Sequence, residues 1–352
     1  MFGKKIRVLT GLVIAVQILF LACSQAPPSA PKSLTLMTHD SFSISKPTLE
    51  AFEKHLDAKV IILKSGDAGE ALNKAILSKN NPLAQIFYGV DSTFIGRALA
   101  QDLFVPYAPK GLDKIPGELK MDPKNRLIPM DFGDVCVNYD IQWFKDHKLS
   151  PPKALSDLIR PEYKDLLVVQ NPATSSPGLA FLLATVSRFG PQGYLEFWKA
   201  LKANGVLVKN GWKEAYWGEF SAASEGLRPL VVSYASSPAA EVFYADPAPK
   251  SAPTGLVIDN GSAFRQVEFA GILAGTKDME LAQKAMDFLI SPAFQEDIPL
   301  QMFVFPARKD ATLPHVFTAH ARITTTPASL DPEQIHKNRD TWIRQWTDCV
   351  LQ

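Results

Sequence analysis

From residue 34 onward, short apolar runs alternate with amphipathic segments whose apolar residues recur every three to four positions. The first pair is an apolar run at 34–38 followed by a segment at 47–56, in which Leu49, Phe52 and Leu56 share one helical face. This alternation is typical of α/β folds, in which helices cover sheets of mainly parallel strands. We therefore predict an α/β fold.

The same periodicities predict the remaining elements of the chain. We expect further strands at 60–63, 86–90, 129–139, 166–169, 206–208, 230–234, 264–273 and 303–305. We expect further helices at 68–78, 92–100, 178–189, 193–203, 212–224, 277–290 and 292–300, and a last helix from Pro332. Asp91 and Asp331 are placed to cap the helices that follow them.

Two long mixed strands, at 129–139 and 264–273, predict that the chain enters a second α/β lobe and returns. We expect lobe 1 to comprise residues 34–131 and 272–352 and lobe 2 to comprise residues 132–271, with crossings near 131 and 271. Ligands of such folds bind between domains and at the carboxyl ends of strands. A cleft between the lobes is the predicted binding site.

The amino terminus has the pattern of an export signal. Lys4, Lys5 and Arg7 precede an apolar run at 8–22, which is short for a membrane span. The run ends at Cys23 in a context similar to the acylation site of bacterial lipoproteins, and a Pro-, Ala- and Ser-rich stretch follows. We expect a signal peptide at 1–22, lipidation of Cys23 and a tether at 23–33, with the protein anchored outside the cytoplasm; an uncleaved anchor is the alternative.

Charge and motifs exclude several functional classes. With 37 Lys and Arg against 36 Asp and Glu, the chain lacks the excess of positive charge that would attract nucleic acid. The P-loop, G-x-G-x-x-G, H-E-x-x-H, C-x-x-C and G-x-S-x-G patterns are absent from the sequence, and its six histidines show no metal-ligand spacing. We expect a monomeric protein without a metal or cofactor that is not an enzyme, although a catalytic triad dispersed along the sequence stays open.

Cys136 and Cys349 are the two cysteines beyond Cys23. Each has the surroundings of a small buried hydrophobic residue rather than of a reactive thiol. The sequence does not set the distance between them, so their pairing is left open.

Polar groups follow the first predicted strand, where His39, Asp40 and Ser41 precede a helix. Asp67 and Asp91 also follow strands. Because the carboxyl ends of neighbouring parallel strands lie at one edge of a sheet, these carboxylates can converge and complement a cation. Taken singly, each is explained equally by an N-cap or a capped turn.

Ser175 and Ser176 lie between a strand and a helix that begins near Pro177. The hydroxyls and the free backbone N–H groups at a helix N-terminus suit a phosphate or another anion. An ordinary serine cap followed by proline explains the same residues without a ligand.

Aromatic residues occur at a loop-to-helix start, Trp212 and Tyr216, and at a strand end, Tyr234. Aromatic faces at such places stack on flat rings or on delocalised cations. At helical spacing, Trp212 and Tyr216 fit a core position equally well.

In this order, segments 38–42, 89–91, 169–178, 210–216, 233–238 and 291–295 resemble the thiamine-binding proteins of bacterial ABC importers. The resemblance spans nearly the whole chain after the signal. It implies a two-lobed type 2 periplasmic-binding fold with an interlobe ligand cleft. It also implies a receptor that binds thiamine or thiamine phosphates and delivers them to an ABC permease in the membrane.

The resemblance places particular residues in the cleft. Its implied contacts are Asp40 and Ser41 on the first lobe, Asp91 at the cationic or aminopyrimidine part, Ser175 and Ser176 at the hydroxyethyl or phosphate end, and Trp212 and Tyr234 as aromatic walls. His39 and Phe303 depart from the family, since some members carry Tyr and Trp there. A histidine with an ordinary pKa would weaken binding of a cation below about pH 6.5.

Two alternatives stay open. The same fold can bind another cationic or oxyanionic solute, such as a polyamine or Fe(III), although the paired tyrosines usual for iron are absent from the sequence. A secreted enzyme on similar lobes would need a nucleophile in the cleft, and neither Cys136 nor Cys349 follows a strand in the way that role requires.

Overall fold

A computed structural model describes residues 32–352 of the chain. The predicted signal peptide, the lipidation site Cys23 and nearly all of the predicted tether lie outside the described residues. Within 32–352, every helix is too short or too polar to traverse a lipid bilayer.

The observed elements follow the predicted alternation closely. In chain order the strands are β1 (Ser33–Thr38), β2 (Lys59–Lys64), β3 (Ile86–Asp91), β4 (Phe104–Val105), β5 (Ile128–Asp140), β6 (Leu167–Gln170), β7 (Leu207–Lys209), β8 (Leu230–Tyr234), β9 (Thr254–Val257), β10 (Phe264–Leu273) and β11 (Phe305–Pro306). The α-helices are α1 (Lys46–Leu56), α2 (Ala68–Leu77), α3 (Ile95–Ala100), α4 (Ile141–Asp146), α5 (Ser176–Ala203), α6 (Trp212–Tyr216), α7 (Ser237–Tyr244), α8 (Met279–Leu289), α9 (Pro292–Gln295), α10 (Ile298–Gln301), α11 (His315–His320) and α12 (Pro332–Val350). The fold is α/β, as predicted.

The eleven strands of the described chain belong to one mixed sheet, with the main order β2-β1-β3-β10-β5-β8-β6-β7. The pairs β1–β2, β1–β3, β6–β7 and β6–β8 are parallel. The long strands β5 and β10 run antiparallel to each other and to these groups. The expectation of mainly parallel strands is therefore wrong for the centre of the sheet, where β5 and β10 hydrogen-bond side by side and join the two parallel groups.

The predicted crossings near residues 131 and 271 fall within β5 and β10. Residues 33–352 cluster as one compact unit. The division of this unit into two lobes at those positions stays a prediction.

Helix α12 packs against α5, and it confirms the last helix that the sequence predicts from Pro332. The Asp331 carboxylate accepts a hydrogen bond from the backbone N–H of Glu333 (2.8 Å), so it caps the helix as predicted. Trp346 is fully buried, and its ring meets Trp198 of α5 edge to face at 5.5 Å between centroids. This contact fixes the last helix to the core.

Four local predictions are wrong in detail. Helix α3 begins at Ile95 with Phe94 as N-cap, so Asp91 ends β3 and caps no helix. Helix α6 stops at Tyr216 rather than 224, because Ser221 N–H then donates to the carbonyl oxygen of Arg228 (3.0 Å) in an extended pairing. The predicted helix at 292–300 is two short helices, α9 and α10. Phe303 lies in a left-handed conformation (φ 54°) before β11, where the predicted strand begins too early.

Cys136 and Cys349 are free thiols in the structure. Cys136 is fully buried in β5, as predicted, whereas Cys349 of α12 is only partly buried. The pairing that the sequence left open does not occur.

Candidate functional site

A cavity of about 330 Å³ lies where the carboxyl ends of β1, β2, β6, β7 and β8 come together. The rule that ligands bind beyond the carboxyl ends of α/β strands predicts this location. Nine of the eleven residues predicted for the site line the cavity: His39, Asp40, Ser41, Asp67, Ser176, Trp212, Tyr216, Tyr234 and Phe303.

Asp91 and Ser175 are the two predicted site residues that do not line the cavity. Both are fully buried, Asp91 at the end of β3 and Ser175 as the N-cap of α5. The Asp91 carboxylate accepts hydrogen bonds from the hydroxyl of Ser176 and from the backbone N–H of Thr93 (2.7 Å). Burial raises the pKa of Asp91 to about 6, against these hydrogen bonds. Asp91 therefore reaches the cavity through Ser176, whose orientation it fixes.

Glu268 lines the cavity and was missed by the sequence analysis. It lies in the middle of β10, opposite Asp91 on β3 and Asp131 on β5. The sequence signal was present, since Glu268 is a charged residue in an otherwise mostly apolar central strand. A carboxylate in such a position is costly unless it is paired.

His39 is the partner of Glu268. Its Nε2 lies 3.2 Å from a carboxylate oxygen of Glu268. Burial alone would lower the pKa of His39, but the charge and the hydrogen bond of Glu268 outweigh burial and raise that pKa to about 9. With this pKa the imidazole is a cation at neutral pH, so we expect His39 to titrate near pH 9 rather than near pH 6.5.

A second layer of acidic groups lies around this ion pair. Asp131 is fully buried, and its carboxyl group accepts a hydrogen bond from the hydroxyl of Tyr88. Burial and the nearby Glu268 raise the pKa of Asp131 well above its usual range. The pKa of Asp67 is also raised, chiefly by burial. The raised pKa values favour the protonated forms of Asp67 and Asp131, so Glu268 is the carboxylate that balances the His39 cation and that a positively charged guest can meet at this floor of the cavity.

Lys64 and Lys213 bring positive charge to the cavity, and the sequence analysis did not predict them. Both ammonium groups point to the main-chain carbonyl oxygen of Asp40, at 3.0 and 3.4 Å. The Asp40 side chain accepts a hydrogen bond from the backbone N–H of Gly66 (3.0 Å) and so holds the turn after β2. Both lysines line the cavity and give one of its walls a positive charge.

An aromatic wall is formed by Trp212 and Tyr216, whose rings stack at 4.9 Å and 17°. The Trp212 indole N–H donates to the hydroxyl of Ser233 (2.9 Å), and the Tyr216 hydroxyl is hydrogen-bonded to Glu241. Both rings are therefore fixed before any ligand arrives. The sequence left open whether these two residues belong to the core or to the site. Tyr216 is buried behind Trp212, and both residues line the cavity.

Two further aromatic residues line the cavity without having been predicted, Trp217 and Tyr244. Trp217 meets Trp212 edge to face at 6.1 Å, and Tyr244 lies 5.2 Å from the ring of Phe303. Trp217 and Tyr244 are 46% and 61% exposed, so apolar surface is available at the cavity. A flat guest that covers these rings removes that surface from water.

Gly89 controls the position of His39. Its φ is +112°, and a Cβ at this position would lie 2.6 Å from Cδ2 of the His39 ring. We expect Gly89→Ala to lower the free energy of unfolding by about 1–3 kcal/mol and to displace His39 from Glu268. Urea unfolding of this variant beside Gly117→Ala tests it, because no atom lies within 4 Å of a Cβ at Gly117. Equal stability of the two variants would contradict the expectation.

The chemistry of the cavity is that of recognition. It combines carboxylates, a paired imidazolium, hydroxyls and aromatic rings that are already held by hydrogen bonds. Among residues 32–352, no three His, Cys, Asp or Glu side chains are grouped so as to hold a metal ion. A flat organic cation with a polar end matches this set of groups.

The comparisons with known proteins agree with this geometry. Residues 81–327 match a family described as bacterial extracellular solute-binding protein. A thiamine-binding periplasmic protein of Salmonella typhimurium is 32% identical over 340 residues, which cover 94% of this chain and 97% of the relative. A protein of the same name from Brucella suis is 32% identical over 338 residues, covering 93% and 95%.

A solved structure described as a periplasmic thiamin binding protein superposes with a TM-score of 0.81 at 28% identity. The match covers 92% of this chain and 98% of that one. It confirms the predicted type 2 periplasmic-binding fold. The chain belongs to the family of bacterial extracellular solute-binding proteins.

Proposed function

We propose that this protein binds thiamine or a thiamine phosphate and delivers it to an ABC permease. The observation that carries the proposal is one cavity lined both by the Glu268 carboxylate and by the stacked pair of Trp212 and Tyr216. The relatives named as thiamine-binding proteins support the choice of ligand.

The groups of thiamine correspond to the groups of the cavity. Its thiazolium ring carries a permanent positive charge, for which Glu268 is the complementary carboxylate. Its flat aminopyrimidine suits the indole face of Trp212. The hydroxyethyl arm, or a phosphate on it, suits the hydroxyl of Ser176 at the N-terminus of α5, with the ammonium of Lys213 nearby in the lining.

The other predicted site residues support the ligand contacts in this proposal. Asp67 and His39 set the charge of the floor, Asp91 orients Ser176, and Tyr234 and Phe303 complete the walls. Ser175, buried behind Ser176, supports the start of α5. The proposed binding is non-enzymatic and needs no cofactor.

The cellular part of the proposal rests on the amino-terminal sequence and on the family. We place the body of the protein outside the cytoplasm, as a monomer held by a lipid on Cys23 after removal of residues 1–22. The basic residues, the apolar run and the small residues before Cys23 support this order of processing.

Calorimetric titration with thiamine, thiamine monophosphate and spermidine tests the proposed ligand. The protein is first unfolded and refolded to remove any ligand that purified with it. Submicromolar binding of a thiamine form with weak spermidine binding is the expected result. Spermidine carries positive charge but has no ring. If it bound more tightly than thiamine, the ligand would be a polyamine and the aromatic wall would not contribute to binding.

Trp212→Ala tests the aromatic wall. We expect at least tenfold weaker thiamine binding, about 1.4 kcal/mol, because the stacked face disappears. Trp143→Ala is the matched control, since Trp143 stacks on His147 and does not line the cavity. Calorimetry on both variants measures the difference, and an unchanged affinity in Trp212→Ala would remove this residue from the site.

A further inference from the structure

A second cavity, of about 220 Å³, lies between α3 and the start of α12 and shares no lining residue with the first. Its charged lining residues are Arg97, Arg339 and Asp340, and His336 also lines it. Asp340 is the one carboxylate among the described residues that line it. The proposed function uses none of these side chains.

Arg339 is the central group of this cavity. The residue is only 7% exposed, and its guanidinium lies over the ring of Phe94, 4.3 Å from the centroid. Asp340 pairs with Nη1, but the buried Nε has no hydrogen-bond partner in residues 32–352. A buried guanidinium charge is costly, and an oxyanion beside the guanidinium is the group that offsets this cost.

The pairing with Asp340 leaves the cavity positive. The Asp340 side chain is 86% exposed, so water screens its charge far more than that of Arg339. Burial lowers the pKa of Arg339 and outweighs the opposing charge of Asp340, while the nearby charge of Arg97 acts in the same direction as burial.

The other polar groups supply further donors. Arg97 uses Nη2 to reach the side-chain oxygen of Asn73 (2.6 Å), which fixes the guanidinium at the cavity wall. The His336 imidazole packs on Gly96, where a Cβ would lie 2.7 Å from Nδ1. Ser92 and Thr93 complete the lining; the Ser92 hydroxyl accepts from the backbone N–H of Val267 (3.2 Å) and keeps its own proton to donate, whereas the Thr93 hydroxyl already donates to Asp91 (2.5 Å).

From this arrangement we infer that the cavity between α3 and α12 is a binding site for a small oxyanion, either inorganic phosphate or a small dicarboxylate. Guanidinium groups bind both through paired N–H donors in a fixed plane. The inference is independent of the thiamine proposal, because it concerns a separate cavity.

Titration calorimetry with sodium phosphate, and separately with malonate, tests the inference at constant ionic strength set with chloride. We expect saturable binding of phosphate, malonate or both with a dissociation constant near or below the millimolar range. Arg339→Gln and Arg97→Gln should each weaken it at least tenfold. Arg97 is only half-buried, so its variant keeps the test valid if Arg339→Gln does not fold.

Two control variants separate this site from general charge effects and from the first cavity. Arg344→Gln removes an exposed arginine of the same helix, and Lys213→Gln removes a lysine of the first cavity. Arg344→Gln should bind the anion as the unchanged protein does, whereas Lys213→Gln reports any anion that is held in the first cavity instead. The inference is overturned by the absence of saturable binding, by an equal loss in Arg344→Gln, or by a loss in Lys213→Gln in place of Arg97→Gln.

Discussion

Glu268→Gln is expected to weaken thiamine binding about 100-fold, or about 3 kcal/mol. The amide keeps the shape of the side chain but removes the carboxylate that faces the guest. It also leaves His39 without its ion-pair partner, 3.2 Å away, in a buried place. A cationic ligand then meets a floor whose positive charge is no longer balanced.

Three measurements distinguish this charge effect from a damaged fold. Glu225→Gln, an exposed site outside the cavity, should bind thiamine normally. Glu268→Asp should retain part of the affinity, since it keeps the charge. In Glu268→Gln the NMR titration of His39 should move down from a pKa of about 9. Full affinity in Glu268→Gln would show that the carboxylate does not hold the cation.

The sequence predicts a site residue when that residue follows the end of a strand, but not when it lies in the middle of one. His39, Ser176 and Trp212 come just after the ends of β1, β6 and β7, so the alternation of elements alone places them at one edge of a sheet. Glu268 lies within β10. It reaches the cavity because β10 lies between β3 and β5 in an antiparallel register, and this pairing connects segments far apart in sequence.

Around Phe303, too, contacts with another element produce a conformation that the local sequence does not predict. The sequence around residues 303–305 predicts a strand, but Phe303 adopts φ 54° and its ring packs against Phe243 and Tyr244 of α7. Tertiary contact with another element thus overrides the local β-propensity. The predicted residue lines the cavity, although its predicted conformation is wrong.

The His39–Glu268 pair should make the stability of the protein depend on pH in the alkaline range. The pKa of His39 is about 9 in the folded protein against 6.5 for the free side chain. Because the folded state holds this proton more tightly, the stabilisation is complete below pH 6.5 and is lost as the pH rises through 9. A pKa raised from 6.5 to about 9 corresponds to about 3 kcal/mol of folding free energy.

Urea unfolding of the wild-type protein and of His39→Gln at intervals between pH 6.5 and 9.5 measures this loss. Other buried groups also titrate, since burial raises the pKa of Asp91 to about 6 and that of Glu241 to about 7. Both variants share these groups, so the difference between their curves isolates His39. The difference should shrink by about 3 kcal/mol across the range. Parallel curves would mean that His39 is neutral beside Glu268, and that the floor of the cavity carries more negative charge than the ion pair allows.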